Sequence, residues 1–240
     1  MDISNWQQYN PDILVRRTTK KYYSQYLYKI KVYAPGGRLV LNNESLDIAM
    51  DRRKDHAMRF ATSVWSRSVS QHLVQASIPL LECLRTIYLL PSIKMRVEEP
   101  YVQIYVSSEI ELHELISLYF APSFLTRIHE VFGPESDHAK SILDSNAIIR
   151  RKPMGYTHKV ILRDGAYNPL VKDGLRNYLS NLSPDVVQVP KGVSQCLIKD
   201  NIYIWNAYFY TNDPSVIMFI DVIYPGLVLN CYELVVLETK

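Results

Sequence analysis

Basic and aromatic side chains alternate with apolar ones in three short segments, and this alternation is the strongest chemical signal in the sequence. Residues 26–33, 93–98 and 101–106 follow the two-residue period of a β-strand, in which successive side chains point to opposite faces. We expect the apolar series to face a helical layer; it comprises Ile30, Val32, Ile93, Met95, Val97, Val102, Ile104 and Val106. The opposite, open face would then carry Lys29, Lys31, Tyr33, Lys94, Arg96, Tyr101, Gln103 and Tyr105.

Lysine, arginine and tyrosine on one open sheet face favour the binding of single-stranded nucleic acid. The cations neutralise phosphates, and each ring that stacks a base contributes roughly 1–3 kcal/mol. A solvated sheet face, or one covered by the second half of the chain, is the competing interpretation. The residues predicted to bind nucleic acid on this face are Lys29, Lys31, Tyr33, Lys94, Arg96, Tyr101 and Tyr105.

Two further basic clusters lie outside these segments. Residues 1–25 are interpreted as a basic and aromatic N-terminal arm that becomes ordered on docking, with predicted nucleic-acid contacts at Arg16, Arg17, Lys20 and Lys21. The second cluster flanks the predicted junction between two halves of the chain, where phosphates would meet Arg150, Arg151 and Lys152. A solvated linker is the alternative interpretation of the second cluster.

Composition limits the class of protein. With 48% hydrophobic and 21% charged residues, the chain of 240 residues is expected to fold into globular domains. Its net charge of +3 does not by itself indicate nucleic acid, because a binding surface needs clustered charge. Three widely spaced cysteines form no C-x-x-C pair, which argues against a zinc ribbon or a disulfide framework and favours reduced thiols in a cytoplasmic protein. No signal peptide and no membrane span are expected.

Diagnostic catalytic and cofactor motifs are missing from the sequence. It contains no G-x-G-x-x-G, no phosphate-binding G-x-x-x-x-G-K-[ST], no H-E-x-x-H zinc helix and no nucleophile elbow. His56 lies near Asp51 and Asp55, a pairing that would suit acid/base chemistry. Asp164 before Gly165 fits a turn better than a metal ligand. The sequence therefore predicts no cofactor, no metal site and no catalytic residue.

Secondary-structure signals divide the chain into two α+β halves. In the first half, residues 26–152, a strand at 26–33 is followed by a long helical region divided at Pro79 and by further elements at 93–98 (strand), 101–106 (strand), 109–120 (helix), 123–132 (helix) and 147–151 (strand). In the second half, residues 153–240, the elements lie at 156–163 (strand), 168–181 (helix), 186–190 (strand), 202–210 (strand), 213–223 (helix) and 227–237 (strand). Residues 133–137 are a linker candidate.

Both halves have the order β-α-β-β-α-β, with an enlarged helical region in the first half, and this order is that of the ferredoxin-like split unit. Each half resembles an RNA-recognition-motif domain in topology, and two such halves in one chain look like the CRISPR repeat-associated ferredoxin-like proteins. Residues 202–210 are rich in aromatic residues, as the third strand of an RNA-recognition motif is, but lack its basic-Gly-aromatic opening. Residues 226–229 depart from the Gly-rich loop of the CRISPR processing enzymes.

These observations lead to three expectations for function. The first is non-catalytic, sequence-tolerant binding of single-stranded RNA or DNA on the open face. The resemblance to the CRISPR processing enzymes implies, as an alternative, a metal-independent endoribonuclease in which His56 or His158 is the general base on the 2′-hydroxyl. The third is a structural protein that assembles, with its own copies or in a larger complex, through the aromatic-rich second half.

Overall fold

The structure, a computed structural model, describes residues 3–42, 44–59, 75–198 and 202–237. The fold is α+β, and the chain divides into two units, Met1–Lys140 and Ser141–Lys240. Each unit contains a five-stranded mixed sheet. The division between the units is N-terminal to the junction at 152/153 that the sequence indicated. Residues 1–25 belong to the first unit.

Five strands form the sheet of the first unit: β1 (Leu14–Arg17), β2 (Tyr28–Tyr33), β3 (Lys94–Glu98), β4 (Tyr101–Val106) and β5 (Ile128–Gly133). They lie in the order β1-β5-β2-β4-β3. β1 pairs parallel with β5, and the other neighbours are antiparallel. The strands predicted at 26–33, 93–98 and 101–106 are β2, β3 and β4.

The helices of the first unit are α1 (Ile3–Gln7), α2 (Leu46–Arg59), α3 (Ile78–Tyr88), α4 (Glu109–Tyr119) and α5 (Pro122–Leu125), with a 3-10 helix at Gly37–Leu41. Pro79 stands in the first turn of α3, where its missing N–H leaves no hydrogen bond unmade. Ser108 caps α4, because its hydroxyl accepts a hydrogen bond from the Glu111 amide at 3.1 Å. The Glu111 carboxylate in turn accepts a hydrogen bond from the Ser107 amide. Backbone N–H groups before and after Ser108 therefore both have side-chain partners at the start of α4.

Alternation along β2 and β4 sorts their side chains between two environments. The apolar series that the sequence assigned to the helical layer is buried at Ile30, Val32, Met95, Val102, Ile104 and Val106. Leu81 and Leu84 of α3 and Leu112 of α4 are buried as well and contribute to the core of this unit. Burial is confirmed for these six strand residues, whereas Ile93 and Val97 of the same predicted series are only half-buried.

Residues 123–132 were predicted as one helix, and this was wrong: they form the short helix α5 and most of the strand β5. The error arises from a β-bulge, since Lys31 pairs with Glu130 and Val32 with Ile128, which leaves His129 as the extra residue. The buried residues Ile128 and Val131 are therefore three positions apart, a spacing typical of a helix. The strand predicted at 147–151, assigned to the first half, belongs to the second sheet.

The N-terminal residues are packed into the first unit. Trp6 of α1 is completely buried, and its ring stacks on His113 of α4 with 4.2 Å between centroids. Its indole N–H donates a hydrogen bond to Glu109 at 3.3 Å, and the Tyr9 hydroxyl lies 2.9 Å from Nδ1 of His113. Together with the pairing of β1, these contacts make α1 and β1 parts of the unit, in contrast to an arm that orders only on docking.

The sheet of the second unit has the order β6-β12-β7-β11-β9, formed by β6 (Ala147–Arg150), β7 (His158–Leu162), β9 (Val187–Gln188), β11 (Tyr208–Thr211) and β12 (Val228–Val236). β6 pairs parallel with β12, and the other neighbours are antiparallel. A two-stranded sheet joins β8 (Gly165–Ala166) and β10 (Tyr203–Ile204). The helices are α6 (Asp137–Asp144), which contains the division between the units, α7 (Pro169–Asn181), α8 (Lys191–Cys196) and α9 (Pro214–Ile223).

The strand predicted at 202–210 is interrupted, and its residues divide between β10 and β11. Asn206 lies between them with a φ of 49°, in the left-handed region that ends a regular strand. The carboxylate of Asp164 accepts a hydrogen bond from the Asn206 amide at 2.7 Å and so holds this turn. Asp213 caps α9 and Pro214 follows it in the first turn, at the start of the helix that the sequence predicted at 213–223.

Gly37 lies so close to the sheet that a side chain should not fit. A Cβ on Gly37 would lie 2.5 Å from Cγ2 of the buried Val102 and 3.3 Å from Cγ1 of Val97. We expect Gly37→Ala to destabilise the chain by roughly 1–3 kcal/mol, as overpacking does. The matched control is Gly192→Ala in α8, where a Cβ meets nothing within 4 Å, and it should be neutral or slightly stabilising. Identical thermal melting of the two variants would contradict this packing.

Within the part of the chain that the structure describes, no helix combines the length and the apolar character needed to cross a bilayer.

Candidate nucleic-acid interface

Cross-strand pairing brings most of the predicted residues onto one face of the first sheet. Residues that pair directly across antiparallel strands point to the same side. Three rows run across β2, β4 and β3 on the side opposite the buried apolar series: Lys29–Tyr105–Lys94, Lys31–Gln103–Arg96 and Tyr33–Tyr101–Glu98. We call this surface the polar face.

A histidine that the sequence did not single out completes the third row. The ring of His129, the bulged residue of β5, stacks on Tyr33 with 5.5 Å between centroids and 4° between planes. Tyr101 meets both rings at a steep angle, at 5.6 Å from Tyr33 and 5.5 Å from His129. All three residues are half-buried, so each is partly accessible to solvent. We call Tyr33, Tyr101 and His129 the ring cluster.

Two cations lie against the ring cluster. Nζ of Lys31 is 4.3 Å from the centroid of the Tyr101 ring, and the guanidinium carbon of Arg127 is 5.6 Å from that of Tyr33. Cation–π attraction stabilises both placements. The cluster therefore combines aromatic rings with positive charge at contact distance, as a site for single-stranded nucleic acid requires.

Two carboxylates, which the sequence prediction left out, neutralise part of this charge. Glu130 pairs with Arg16 at 3.0 Å and with Lys31 at 3.3 Å, and Glu98 pairs with Arg96 at 2.7 Å. Arg16 and Arg96 are exposed, and ion pairs at solvent-exposed positions are weak because water screens them. A phosphate that approaches the polar face can therefore compete for these cations.

Tyr105 points to the polar face as predicted, but it is only 4% exposed. The rings of Tyr22 and Tyr23 cover it, with centroids 5.2 and 5.1 Å from its own. Burial, and then the neighbouring Tyr23, raise the pKa of the Tyr105 hydroxyl. The prediction of an open stacking surface at Tyr105 does not hold in this conformation, because residues of the same unit cover it.

Lys29 is enclosed by aromatic rings. Its Nζ lies 3.8 Å from the centroid of Phe132, 5.0 Å from that of Tyr22 and 6.0 Å from that of Tyr105. Burial lowers the pKa of Lys29, an effect that the charge of Glu130 opposes. An ammonium group held between three rings is poorly placed to meet a phosphate, so we assign Lys29 a role in packing. Lys94 and Arg96, by contrast, are exposed.

The other predicted contacts belong to other segments of the chain. Arg17 alternates to the other side of β1 from Arg16 and pairs with Glu135 at 2.7 Å. Lys20 and Lys21 follow β1 in the loop that leads to Tyr22. The remaining cluster belongs to the second unit, where β6 ends at Arg150 and the exposed residues Arg151 and Lys152 follow it.

The second sheet repeats one arrangement of the first. Nζ of Lys159 on β7 lies 4.0 Å from the centroid of Tyr208 and 5.9 Å from that of Tyr210, both on β11. Tyr208 stands two residues before Tyr210, which pairs with Lys159, just as Tyr101 stands two residues before the residue that pairs with Lys31. Burial is the main cause that raises the pKa of Tyr210.

In comparisons with known proteins, no family model, curated protein or solved structure matches the chain. The roles of its residues therefore have to be inferred from their geometry and chemistry.

The described residues contain few groups that would suit a catalytic or metal centre. Among the described residues, no group of three or more His, Cys, Asp or Glu side chains is placed to hold a metal ion. The three cysteines are free thiols. Nδ1 of His158 lies 2.9 Å from the hydroxyl of Thr157, and the side chain of His56 lies outside the described part of the structure.

Proposed function

We propose that the polar face of the first sheet binds single-stranded nucleic acid, RNA or DNA, without catalysing a reaction. The observation that supports this best is the ring cluster, in which the ring centroids of Tyr33, Tyr101 and His129 lie within 5.6 Å of one another. Nζ of Lys31 lies against the Tyr101 ring of this cluster. Because every base has a π-face, such rings stack bases of any identity.

Single strands suit this surface better than duplexes. Rings on a sheet face reach a base only when that base is unpaired and unstacked. Arg16, Lys94 and Arg96 are exposed around the rings and would contact the phosphates of the same strand. Since phosphate contacts carry no base identity, we expect binding to tolerate many sequences.

We also propose that the two units are duplicated ferredoxin-like domains, similar in topology to RNA-recognition motifs. Without β1 the first sheet has the order β5-β2-β4-β3, and without β6 the second has β12-β7-β11-β9. Numbered within a β-α-β-β-α-β unit, each order is 4-1-3-2. Each sheet also has one additional strand, which pairs parallel with its fourth strand. This shared order, with the lysine–tyrosine contact common to both sheets, supports the duplication.

Replacing Arg16, Lys94 and Arg96 by Ala is expected to weaken single-strand binding roughly tenfold or more at low salt and to flatten its salt dependence. On a single strand each phosphate contact contributes about 0.7 to the slope of log affinity against log salt, so three lost contacts lower the slope by about 2. The fluorescence anisotropy of a labelled oligonucleotide at several salt concentrations measures both quantities.

The matched control replaces Arg52, Arg53 and Lys54 of α2 by Ala. This variant removes the same formal charge from the same unit but leaves the polar face intact, so its salt slope should stay close to that of the unmodified chain. Equal losses of affinity in the two variants would contradict the assignment of binding to the polar face.

The same samples separate the two alternative functions. A metal-independent endoribonuclease would shorten the RNA oligonucleotide in the presence of a chelator and spare its DNA counterpart, which has no 2′-hydroxyl. A structural protein would show the mass of an assembly in solution before any oligonucleotide is added. The structural alternative is supported by apolar side chains that are exposed on one side of α9 and could form an interface, namely Met218, Phe219, Val222 and Ile223.

A further inference from the structure

Residues 22–26 form a tight turn against one end of the polar face, and we call this turn the strap. Tyr22 and Tyr26 pair as an isolated antiparallel bridge, with backbone hydrogen bonds of 2.8 and 2.9 Å. The chain reverses between them at Tyr23 and Ser24. The rings of Tyr22, Tyr23 and Tyr26 all lie within 6.4 Å of the Tyr105 ring, centroid to centroid.

The backbone of the strap is strained at its tip. Tyr23 and Ser24 have φ values of 52° and 59°, in the left-handed region. Two consecutive residues in this region are typical of a turn that favours Gly, Asn or Asp. A bulky tyrosine occupies it only when its surroundings hold it there, and such strain concentrates at functional positions.

The ring of Tyr23 occupies a place where a base would be expected to bind. It meets Tyr105 edge-on at 5.1 Å between centroids, and Nζ of Lys94 lies 5.6 Å from its centroid. The Tyr23 hydroxyl, through a side-chain hydrogen bond, is the first cause that raises the pKa of the Arg96 guanidinium. Tyr23 meets Tyr105 by its edge and does not stack on it, but it covers that ring beside two exposed cations, which a base stacked on Tyr105 would also adjoin. Tyr23 is 50% exposed, so its departure would break the contacts with Tyr105, Lys94 and Arg96 but would not open the core of the unit.

We infer that the strap is an internal competitor for this end of the polar face: Tyr23 covers Tyr105 in the free protein and leaves it when a single strand binds. The inference rests on the proposed function. Opening releases Lys94 and Arg96 from Tyr23 and uncovers the Tyr105 ring where Tyr23 meets it, while Tyr22 still packs against that ring. Relief of the strained turn lowers the free-energy cost of opening.

Competition of this kind lowers the apparent affinity. A ligand that binds only the open form has an apparent dissociation constant equal to the intrinsic one divided by the open fraction. A minor form populated at roughly 1–10% would therefore weaken binding by about 10- to 100-fold.

The substitution Tyr23→Asn tests the inference. Asn tolerates the left-handed region, so the turn is retained while the ring is removed. We expect a labelled single-stranded oligonucleotide to bind this variant about tenfold more tightly than the unmodified chain. Tyr23→Phe is the matched control, because it keeps the ring over Tyr105 and removes only the hydroxyl, which interacts with Arg96 and Tyr105; its effect should be much smaller. In the unmodified chain, hydrogen exchange at the Tyr22 and Tyr26 amides should accelerate when the oligonucleotide binds.

Each outcome of this comparison is decisive. If the unmodified chain binds and Tyr23→Asn binds equally well, the strap does not compete, and the inference fails while the proposed function stands. If Tyr23→Asn binds more weakly, Tyr23 itself holds the strand, which also overturns the inference. If neither protein binds, the proposed function fails and the inference fails with it.

Discussion

Replacing Tyr33 and Tyr101 together by Ala is expected to lower the affinity for a single strand about 30-fold or more. Each ring that stacks a base contributes roughly 1–3 kcal/mol, so the pair supplies about 2 kcal/mol at the least, and about 1.4 kcal/mol corresponds to a factor of ten. Both residues are half-buried, outside the fully buried core, so the variant should still fold. An anisotropy titration gives the affinity, and a melting curve checks the fold.

The corresponding variant with Phe at both positions is the control. Stacking uses the ring, so affinity should change little, although the hydrogen bond from the Tyr33 hydroxyl to Gln75 is lost. An unchanged affinity in a folded double-Ala variant would rule out the ring cluster as the stacking site.

The largest effect on stability is expected from Trp6→Ala. Trp6 is completely buried, stacks on His113 and donates to Glu109, so truncation should cost about 3–5 kcal/mol, as for other buried aromatic side chains. In a chain of this size the melting temperature should fall by roughly 10 °C. Differential scanning calorimetry measures the change.

Trp6→Phe separates packing from hydrogen bonding. It keeps an apolar ring in the same place and loses the bond to Glu109, so its cost should be clearly smaller than that of Trp6→Ala. If Trp6→Ala melts like the unmodified chain, residues 3–17 are not part of the first unit, and the arm predicted from the sequence is the better description.

The two faces of the first sheet could be predicted because strand alternation is a local property. Once Val102 and Ile104 are buried, Tyr101 and Tyr105 must point to the other side, since a shift of one residue would exchange the faces. The start of α9 is local in the same sense, since Asp213 caps the helix that was predicted at 213–223. Which residues share a face was therefore readable from short segments.

The ring cluster could not be predicted, because it depends on the bulge in β5. The bulge brings His129 beside Tyr33, and the resulting spacing of buried residues imitates that of a helix. No residue type in the sequence marks such a bulge.

Exposure of the polar face was also beyond local reasoning. The rings that cover Tyr105 come from the strap, and Glu130, which pairs with two of the predicted cations, comes from β5. These contacts join segments that are far apart in the chain, whereas alternation determines only the side to which each residue points. The number of cations predicted on the polar face therefore overstated how much positive charge is available there to a phosphate.

Titration of the unmodified chain with single-stranded and double-stranded oligonucleotides of the same sequence tests the central claim most directly. We expect the single strand to bind roughly tenfold or more tightly than the duplex at moderate salt, because bases in a duplex cannot reach the rings. Its affinity should fall linearly with salt on logarithmic axes, as phosphate contacts require. Failure to bind the single strand at low salt, or equal binding of the duplex, would contradict the claim that the polar face is a site for single-stranded nucleic acid.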